Sequence, residues 1–166
     1  MRVLAIDPGY GRCGVAVLER SGVKDVLIYS DCIETDAKSD FPDRLNTVVQ
    51  ECTRVLRAHK PHHVALEKLY FSTNQKTAMR VAEVRGALLS MAGAATIQVF
   101  EYSPNEVKSA TAGYGSADKR AIASMIHALV KIDKMIRLDD EYDAIAIGVT
   151  HLATYRASLQ PLKKLQ

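Results

Sequence analysis

The sequence predicts an α/β domain in which a mixed five-stranded sheet carries helices on both faces. Three observations lead to this prediction. The first third of the chain has three strand-like segments, the middle alternates strands with helices, and the last third is helical. Short turns join antiparallel neighbours, whereas strand–helix–strand units give parallel ones. With 166 residues, 48% of them hydrophobic, the chain is long enough for one domain of this kind.

The first three strands are predicted at VLAID, CGVAVLE and DVLIYSDCIE. Each segment is short and rich in Val and Ile, and glycine-containing turns separate them. Because these turns are short, we expect the three strands to be antiparallel neighbours.

The middle of the chain alternates between helix-like and strand-like segments. A helix is predicted over residues 42–59, where apolar residues recur at helical spacing, and Pro61 marks its end. HHVALEK then forms the fourth strand, residues 75–92 a second helix and TIQVFEY the fifth strand. Helices between these strands require parallel pairing, which makes the sheet mixed.

Three helices are predicted in the last third. Ser103, Pro104 and Glu106 have the pattern of a capping box with proline at the first helical position. Ser116 is the predicted cap of a helix over residues 117–131, and the last helix is predicted to begin near Asp139 or Asp140. We expect residues 1–156 to form the domain and residues 157–166 to be a basic, disordered tail.

Composition excludes some functional classes. No apolar stretch has the length of a membrane span, and the start MRVLAID lacks the layout of a signal peptide. Cys13, Cys32 and Cys52 are an odd number without metal-ligand spacing, so we interpret them as reduced thiols of a cytoplasmic protein. The net charge of +3 is too small to indicate a nucleic-acid partner by itself.

Four acidic residues carry most of the functional information. Asp7 closes the first strand, Glu67 ends the fourth, and Asp140 and Asp143 open the last helix, all next to apolar residues. An acid in such surroundings loses hydration and needs a partner. Because no basic residue accompanies each of them, we predict a divalent metal, and oxygen ligands favour Mg²⁺.

These acids can converge. If the first and fourth strands are adjacent, Asp7 and Glu67 project from their carboxyl ends into one crevice, where ligands of open α/β sheets bind. Asp140 and Asp143 are three residues apart and share a helix face. Four carboxylates suit two Mg²⁺ ions about 4 Å apart, an arrangement used for phosphodiester hydrolysis.

Plainer explanations exist for single members of this set. Asp139, Asp140 and Glu141 can be acids that the helix dipole favours at an N-terminus. Asp7 before Pro-Gly can be a turn acid. The DxG opening also occurs in the actin-like sugar kinases and ATPases, but these need a second domain for which 166 residues leave no room.

With these residues placed, the chain resembles the RuvC family of crossover-junction endodeoxyribonucleases over roughly residues 1–152. Four blocks in the family's order and spacing carry the resemblance: MRVLAIDPGYGRCGVAVLE, VALEKLYFSTNQKTAMRVAEVRGALL, VFEYSPNEVKSATAGYGSADK and DDEYDAIAIGVTH. The resemblance implies an RNase H-like fold, a homodimer in a bacterial cytoplasm, and symmetric, Mg²⁺-dependent nicking of four-way (Holliday) junctions. It also implies that the four acids bind two Mg²⁺ ions per subunit, for which Mn²⁺ can substitute.

Eight residues are predicted to contact DNA. A loop after Glu67 offers rings for base stacking, basic residues follow the fifth strand, and a lysine in the first turn of a helix suits a phosphate. In the family a phenylalanine occupies the position of Tyr70, and many members carry a lysine at Thr73, whose place Lys76 can take. The predicted set is Tyr70, Phe71, Asn74, Lys76, Lys108, Tyr114, Lys119 and Arg120.

Two partners and one alternative function complete these predictions. The second helix has apolar residues on more than one stripe, and the resemblance places the dimer contact there, at Ala82, Arg85, Gly86 and Leu89. The resemblance also implies a branch-migration helicase partner of the RuvA–RuvB kind. The alternative is a junction-binding module without catalysis that recruits such factors.

Overall fold

The computed structural model describes residues 1–21, 24–69, 75–113 and 118–159, and for Ser21, Gln75, Lys119 and residues 156–159 it describes the backbone alone. Within these residues, six strands form one sheet. They are β1 (Arg2–Asp7), β2 (Arg12–Ser21), β3 (Lys24–Glu34), β4 (His63–Glu67), β5 (Gln98–Tyr102) and β6 (Val130–Lys131). The five helices of the described residues are α1 (Phe41–His59), α2 (Gln75–Ala94), α3 (Pro104–Ala112), α4 (Lys119–Leu129) and α5 (Asp139–Leu159).

The sheet is mixed and has the order β5-β4-β1-β2-β3-β6. Strands β1, β2 and β3 are antiparallel neighbours, as their short turns predict. Strand β4 is parallel to both β1 and β5; helix α1 connects β3 to β4, and helix α2 connects β4 to β5. The central position of β1 follows, and it places the end of β1 beside the end of β4.

Alternation along the strands divides the core between two layers. In β1, Val3 and Ala5 face the α5 side, whereas Leu4 and Ile6 face α1 and α2. All four side chains are fully buried because helices cover both faces of the sheet. The predicted α/β class, with helices on both faces, is therefore confirmed.

The predicted number of strands was wrong by one. Helix α4 ends at Leu129, not at residue 131, because Val130 takes an extended conformation and pairs with Asp25 of β3. Val130 is β-branched and 2% exposed, so its side chain completes the core at the edge of the sheet.

Helix boundaries test the capping predictions. The capping box of α3 is confirmed, since Ser103 accepts from the Glu106 N–H and the Glu106 carboxylate accepts from the Ser103 N–H. Asp118 caps α4 by accepting from the Ala121 N–H at 2.8 Å. The predicted cap, Ser116, was therefore wrong, because α4 begins at Lys119 with Asp118 as its cap. Ser116 itself lies outside the described residues.

The predicted tail is partly helical. Helix α5 continues to Leu159, so the first three residues of the predicted disordered segment, 157–159, belong to the helix. The rest of that segment, 160–166, lies outside the described residues. Among the helices that are described, none is both long and apolar enough to span a bilayer.

Candidate active site

Asp7 and Glu67 end neighbouring strands on one face of the sheet. Ile6 of β1 pairs with Leu66 of β4, so Asp7 and Glu67 are the next residues along two parallel strands. Because side chains alternate, both acids point to the face that Ala5 and Ala65 share with α5. The first and fourth strands are adjacent, which was the condition for these two acids to meet, and this brings both carboxylates to one edge.

A cavity of about 140 Å³ lies at this edge. Asp7, Glu67 and Asp143 line it together with Lys108. Its remaining walls are apolar or proline residues of α3, α4 and α5. Three acids and one lysine from four separate elements therefore meet in a space with mainly apolar walls.

The surroundings of Glu67 make it less acidic. Burial raises the pKa of this carboxyl, the Asp143 carboxylate raises it further, and the Lys108 ammonium lowers it. Desolvation and a like charge both disfavour the ionised form, which a nearby cation favours. Glu67 therefore has the environment of a group whose negative charge requires a partner.

Asp140 does not line this cavity, although it lies close to Asp7. Gly14 of β2 is opposite Asp7 in register, and a Cβ on Gly14 would lie 1.9 Å from the Asp140 carbonyl oxygen. The first turn of α5 thus rests on Gly14, which has no side chain to hold it away from β2. The Asp140 carboxylate is turned to Arg12, whose Nε lies 3.2 Å from Oδ2.

The contact between Arg12 and Asp140 is an ion pair rather than an aligned hydrogen bond. Oδ2 of Asp140 is buried without a hydrogen-bond partner, despite the proximity of the guanidinium. The guanidinium therefore lies close to Oδ2, but its N–H is not directed at this oxygen, which weakens the contact. A buried carboxylate oxygen in this state is suited to a cation that has no directional requirement.

The donor set fits a hard divalent cation. All four predicted ligands are carboxylates, which Mg²⁺ prefers, and Asp140 offers a buried oxygen without a hydrogen bond. In the part of the chain that the structure describes, no three His, Cys, Asp or Glu side chains are grouped closely enough to hold an ion as they stand. Asp7, Glu67 and Asp143 line the cavity, whereas the Asp140 carboxylate lies against Arg12.

Glu141 is a buried acid that sequence reasoning interpreted as one of the helix-terminal acids. It is 5% exposed, and its carboxylate accepts from the Ser30 hydroxyl at 2.8 Å and from the Lys134 ammonium at 2.5 Å. Lys134 also donates to the Ser30 carbonyl at 2.8 Å. This network fastens the first turn of α5 to β3, directly beside Asp140.

The structure describes four of the predicted DNA contacts in part or in full. Lys108 is half-buried in the cavity, while Lys76 and Arg120 are exposed. Arg120 lines a second cavity with Asp139, Tyr142 and Asp143. Lys119 begins α4, but only its backbone is described. Tyr70, Phe71, Asn74 and Tyr114 lie outside the described residues.

Helix α2 presents part of the predicted dimer contact to solvent. Ala82 and Gly86 are exposed, and Leu89 is half-buried. Arg85, the fourth residue of the predicted contact, pairs with Glu101 of β5 within its own chain. It also donates to the Glu67 carbonyl at 3.2 Å, because α2 packs beside the ends of β4 and β5.

Sequence reasoning missed three residues of this region. Gly14 had a detectable signal, since an isolated glycine within a strand often marks a close backbone approach. Arg12 and Lys134 had none, because Arg12 pairs with the distant Asp140 and Lys134 joins Glu141 to the distant Ser30 of β3.

Comparisons with known proteins agree with the geometry. A family model described as crossover junction endodeoxyribonuclease RuvC matches residues 3–151. The RuvC of Thermosipho melanesiensis is 39% identical over 148 residues, 89% of this chain and 94% of that protein. The RuvC of Thermotoga petrophila is 40% identical over 157 residues, 95% of each chain.

A solved structure extends this likeness to the fold. The structure of Thermus thermophilus RuvC in complex with a Holliday junction substrate superposes with a TM-score of 0.88. It is 30% identical, and the match covers 95% of this chain and 96% of that one. The fold is therefore RNase H-like, as the resemblance in the sequence implied.

Proposed function

Because the chain belongs to the RuvC family of crossover junction endodeoxyribonucleases, we propose that it is a Holliday junction resolvase. It cuts four-way DNA junctions by hydrolysing phosphodiester bonds in symmetrically placed strands. The observation that carries this proposal is the meeting of Asp7, Glu67 and Asp143 with Lys108 around one cavity. Three carboxylates that can bind metal cations, together with one lysine, suit the attack of water on a negatively charged phosphate.

The reaction is the addition of water to a DNA phosphate. The water oxygen forms a bond to phosphorus, the bond from phosphorus to the 3′ oxygen breaks, and that oxygen takes up a proton. The products are a 3′ hydroxyl and a 5′ phosphate, which a ligase can rejoin. The chain has to position the phosphate, accept the proton of the water and offset the charge of the anion.

Asp7, Glu67, Asp140 and Asp143 would hold the metal, with two Mg²⁺ ions per subunit as the proposed complement and Mn²⁺ as a substitute. When bound, such ions polarise the phosphate and lower the pKa of water. Lys108 supplies a fixed positive charge to the same cavity, where it already lowers the pKa of Glu67. A half-buried ammonium in this position is suited to a phosphate oxygen.

The remaining predicted contacts extend the proposal to the whole junction. Lys76, Lys119 and Arg120 would bind phosphates, while Tyr70, Phe71, Asn74 and Tyr114 would contact the DNA, with one of the adjacent rings of Tyr70 and Phe71 stacked on a base. A two-fold dimer through Ala82, Gly86, Leu89 and Arg85 of α2 would present two cavities to strands of like polarity. A branch-migration helicase of the RuvA–RuvB kind is the proposed partner on the same DNA.

The test is a cleavage assay on a four-way junction, with a linear duplex of the same sequence as control. The wild-type protein is expected to nick the junction in Mg²⁺ and to leave the duplex intact. Asp7→Asn and Glu67→Gln should lower the cleavage rate by at least about 100-fold, the scale on which metal-site groups act. Junction affinity, measured by gel shift in EDTA, should stay within a few-fold because neither change removes a positive charge.

Asp43→Asn is the matched control, because Asp43 is an exposed acid in the first turn of α1. It should cut like the wild type. Nicking by the wild-type protein in EDTA would refute the proposal. Binding without cutting in Mg²⁺ would support the non-catalytic alternative, which nothing in the described residues favours.

A further inference from the structure

We propose that Arg12 exchanges between Asp140 and a DNA phosphate, and so couples metal binding to junction binding. The proposal rests on the proposed function, since it needs a phosphate to arrive at this site. In the DNA-free protein Arg12 forms an ion pair with the Asp140 carboxylate, with Nε 3.2 Å from Oδ2. A guanidinium and a divalent cation cannot both neutralise this oxygen, so the two compete for it.

The contact is weak enough to be exchanged. The Arg12 side chain is 52% exposed, and its Nε lies 3.2 Å from Oδ2 of Asp140. Oδ2 remains without a hydrogen bond, so the bidentate geometry that makes arginine–carboxylate pairs strong is missing. Pairs exposed to this degree change an equilibrium constant by about fivefold or less.

The position of Arg12 gives it a second use. It begins β2, two residues before Gly14, which is opposite Asp7 in register. Even-numbered residues of this part of β2 face α5, so the guanidinium lies on the same face as the cavity. Arg12 is also the cross-strand neighbour of Glu34, an exposed acid at the end of β3.

Linkage gives the exchange its functional meaning. If a phosphate draws Arg12 away, the cation affinity of Asp140 rises, and by reciprocity a bound cation leaves Arg12 available to DNA. Asp140 then joins the other three acids in binding the cation most readily when the junction is present. This arrangement limits the activity of a DNA-free site without any large movement of the backbone.

The first experiment measures Mn²⁺ binding to the DNA-free protein by electron paramagnetic resonance, which counts free Mn²⁺ and needs no turnover. Arg12→Gln is expected to tighten Mn²⁺ binding by about two- to fivefold, because it removes the competing charge. Arg12→Lys should fall between the two. The matched control is Arg54→Gln, which removes an arginine from an exposed pair with Glu51 on α1 and should leave Mn²⁺ affinity unchanged.

The second experiment measures junction affinity by fluorescence anisotropy in Ca²⁺ over a series of salt concentrations. Arg12→Gln should weaken binding and lower the slope of log affinity against log salt by about one, the value for one phosphate contact. The gain in junction affinity that Ca²⁺ gives to the wild type should be smaller in the variant. Arg54→Gln should change neither quantity.

Unchanged Mn²⁺ affinity in Arg12→Gln would overturn the proposal, and so would an unchanged salt slope. These outcomes are separable from failure of the proposed function. A protein that prefers linear duplex to junction would contradict the function, whereas the Mn²⁺ titration is made without DNA and decides the competition by itself.

Discussion

At the scale of the residue, Gly14 determines whether Asp140 can lie beside Asp7. A Cβ at this position would meet the Asp140 carbonyl oxygen at 1.9 Å and its carbon at 2.6 Å, distances that real Cβ atoms do not adopt. The obstacle is backbone in the first turn of α5, which cannot move as a side chain can. A single methyl group would therefore displace the turn that carries two of the four acids.

We expect Gly14→Ala to lower the free energy of unfolding by about 1–3 kcal/mol, the usual cost of overpacking. It should also weaken Mn²⁺ binding, because Asp140 and Asp143 move together with the turn. Urea denaturation and Mn²⁺ titration measure the two effects.

Gly93→Ala is the control for this substitution. Gly93 is an exposed glycine in α2, and nothing lies within 4 Å of a Cβ built on it. Because alanine is the better helix former, this variant should gain up to about 1 kcal/mol and bind Mn²⁺ normally. Wild-type stability and Mn²⁺ affinity in Gly14→Ala would show that the turn does not depend on the missing side chain.

At the scale of the element, the N-terminus of α5 is held by a charged network rather than by an apolar contact. Glu141 is buried, and its carboxylate is satisfied by Ser30 of β3 and by Lys134 from the segment before α5. Removing one partner of a buried pair leaves the other charge without compensation. The network is therefore a point at which one substitution should loosen the end of the helix that carries the acids.

We expect Lys134→Met to cost about 1–3 kcal/mol of stability, less than a fully buried pair because Lys134 is partly exposed and Ser30 still donates to Glu141. Adding Glu141→Leu to this variant should restore part of the loss. Lys131→Met is the control, since Lys131 pairs with Asp133 at the surface. Equal stabilities of the Lys134 and Lys131 variants would contradict this role.

Elements were predictable where the signal is local. Ser103, Pro104 and Glu106 are close in sequence, and the capping box of α3 follows from them. The end of α4 was not predictable, because Val130 becomes a strand only through pairing with Asp25, more than a hundred residues earlier. A propensity for helix over residues 117–131 was overridden by this tertiary contact.

At the scale of the whole molecule, the features of the site that the sequence could predict also differ from those that depend on a long-range contact. The adjacency of Asp7 and Glu67 depends on topology, because the β3–α1–β4 connection carries the chain back across the sheet so that β4 lies parallel beside β1. The separation of Asp140 from the cavity does not, because it depends on the pair with Arg12, a residue that no local pattern links to α5. The roles of all four acids as ligands stay predictions.

Long-range contact also explains the burial of His151, which anchors the second half of α5 to the sheet. Its side chain is fully buried among rings, with the Tyr102 hydroxyl 2.9 Å from Nδ1 and His63 Nδ1 2.9 Å from Nε2. Burial, followed by the charges of His63 and Arg20, lowers the pKa of His151 to about 4. The folded protein therefore keeps this ring neutral at pH values where the unfolded chain protonates it.

This difference predicts an acid-sensitive stability. An unfolded histidine has a pKa of about 6.5, so the contribution of neutral His151 is complete above that pH and is lost as the pH falls towards 4, by about 3 kcal/mol. Urea denaturation between pH 7.5 and 4 should show this loss. His151→Phe should be less stable at pH 7.5 but should have a flatter profile, whereas exposed His127→Gln should keep the wild-type slope. A profile in His151→Phe as steep as that of the wild type would assign the acid sensitivity to other groups.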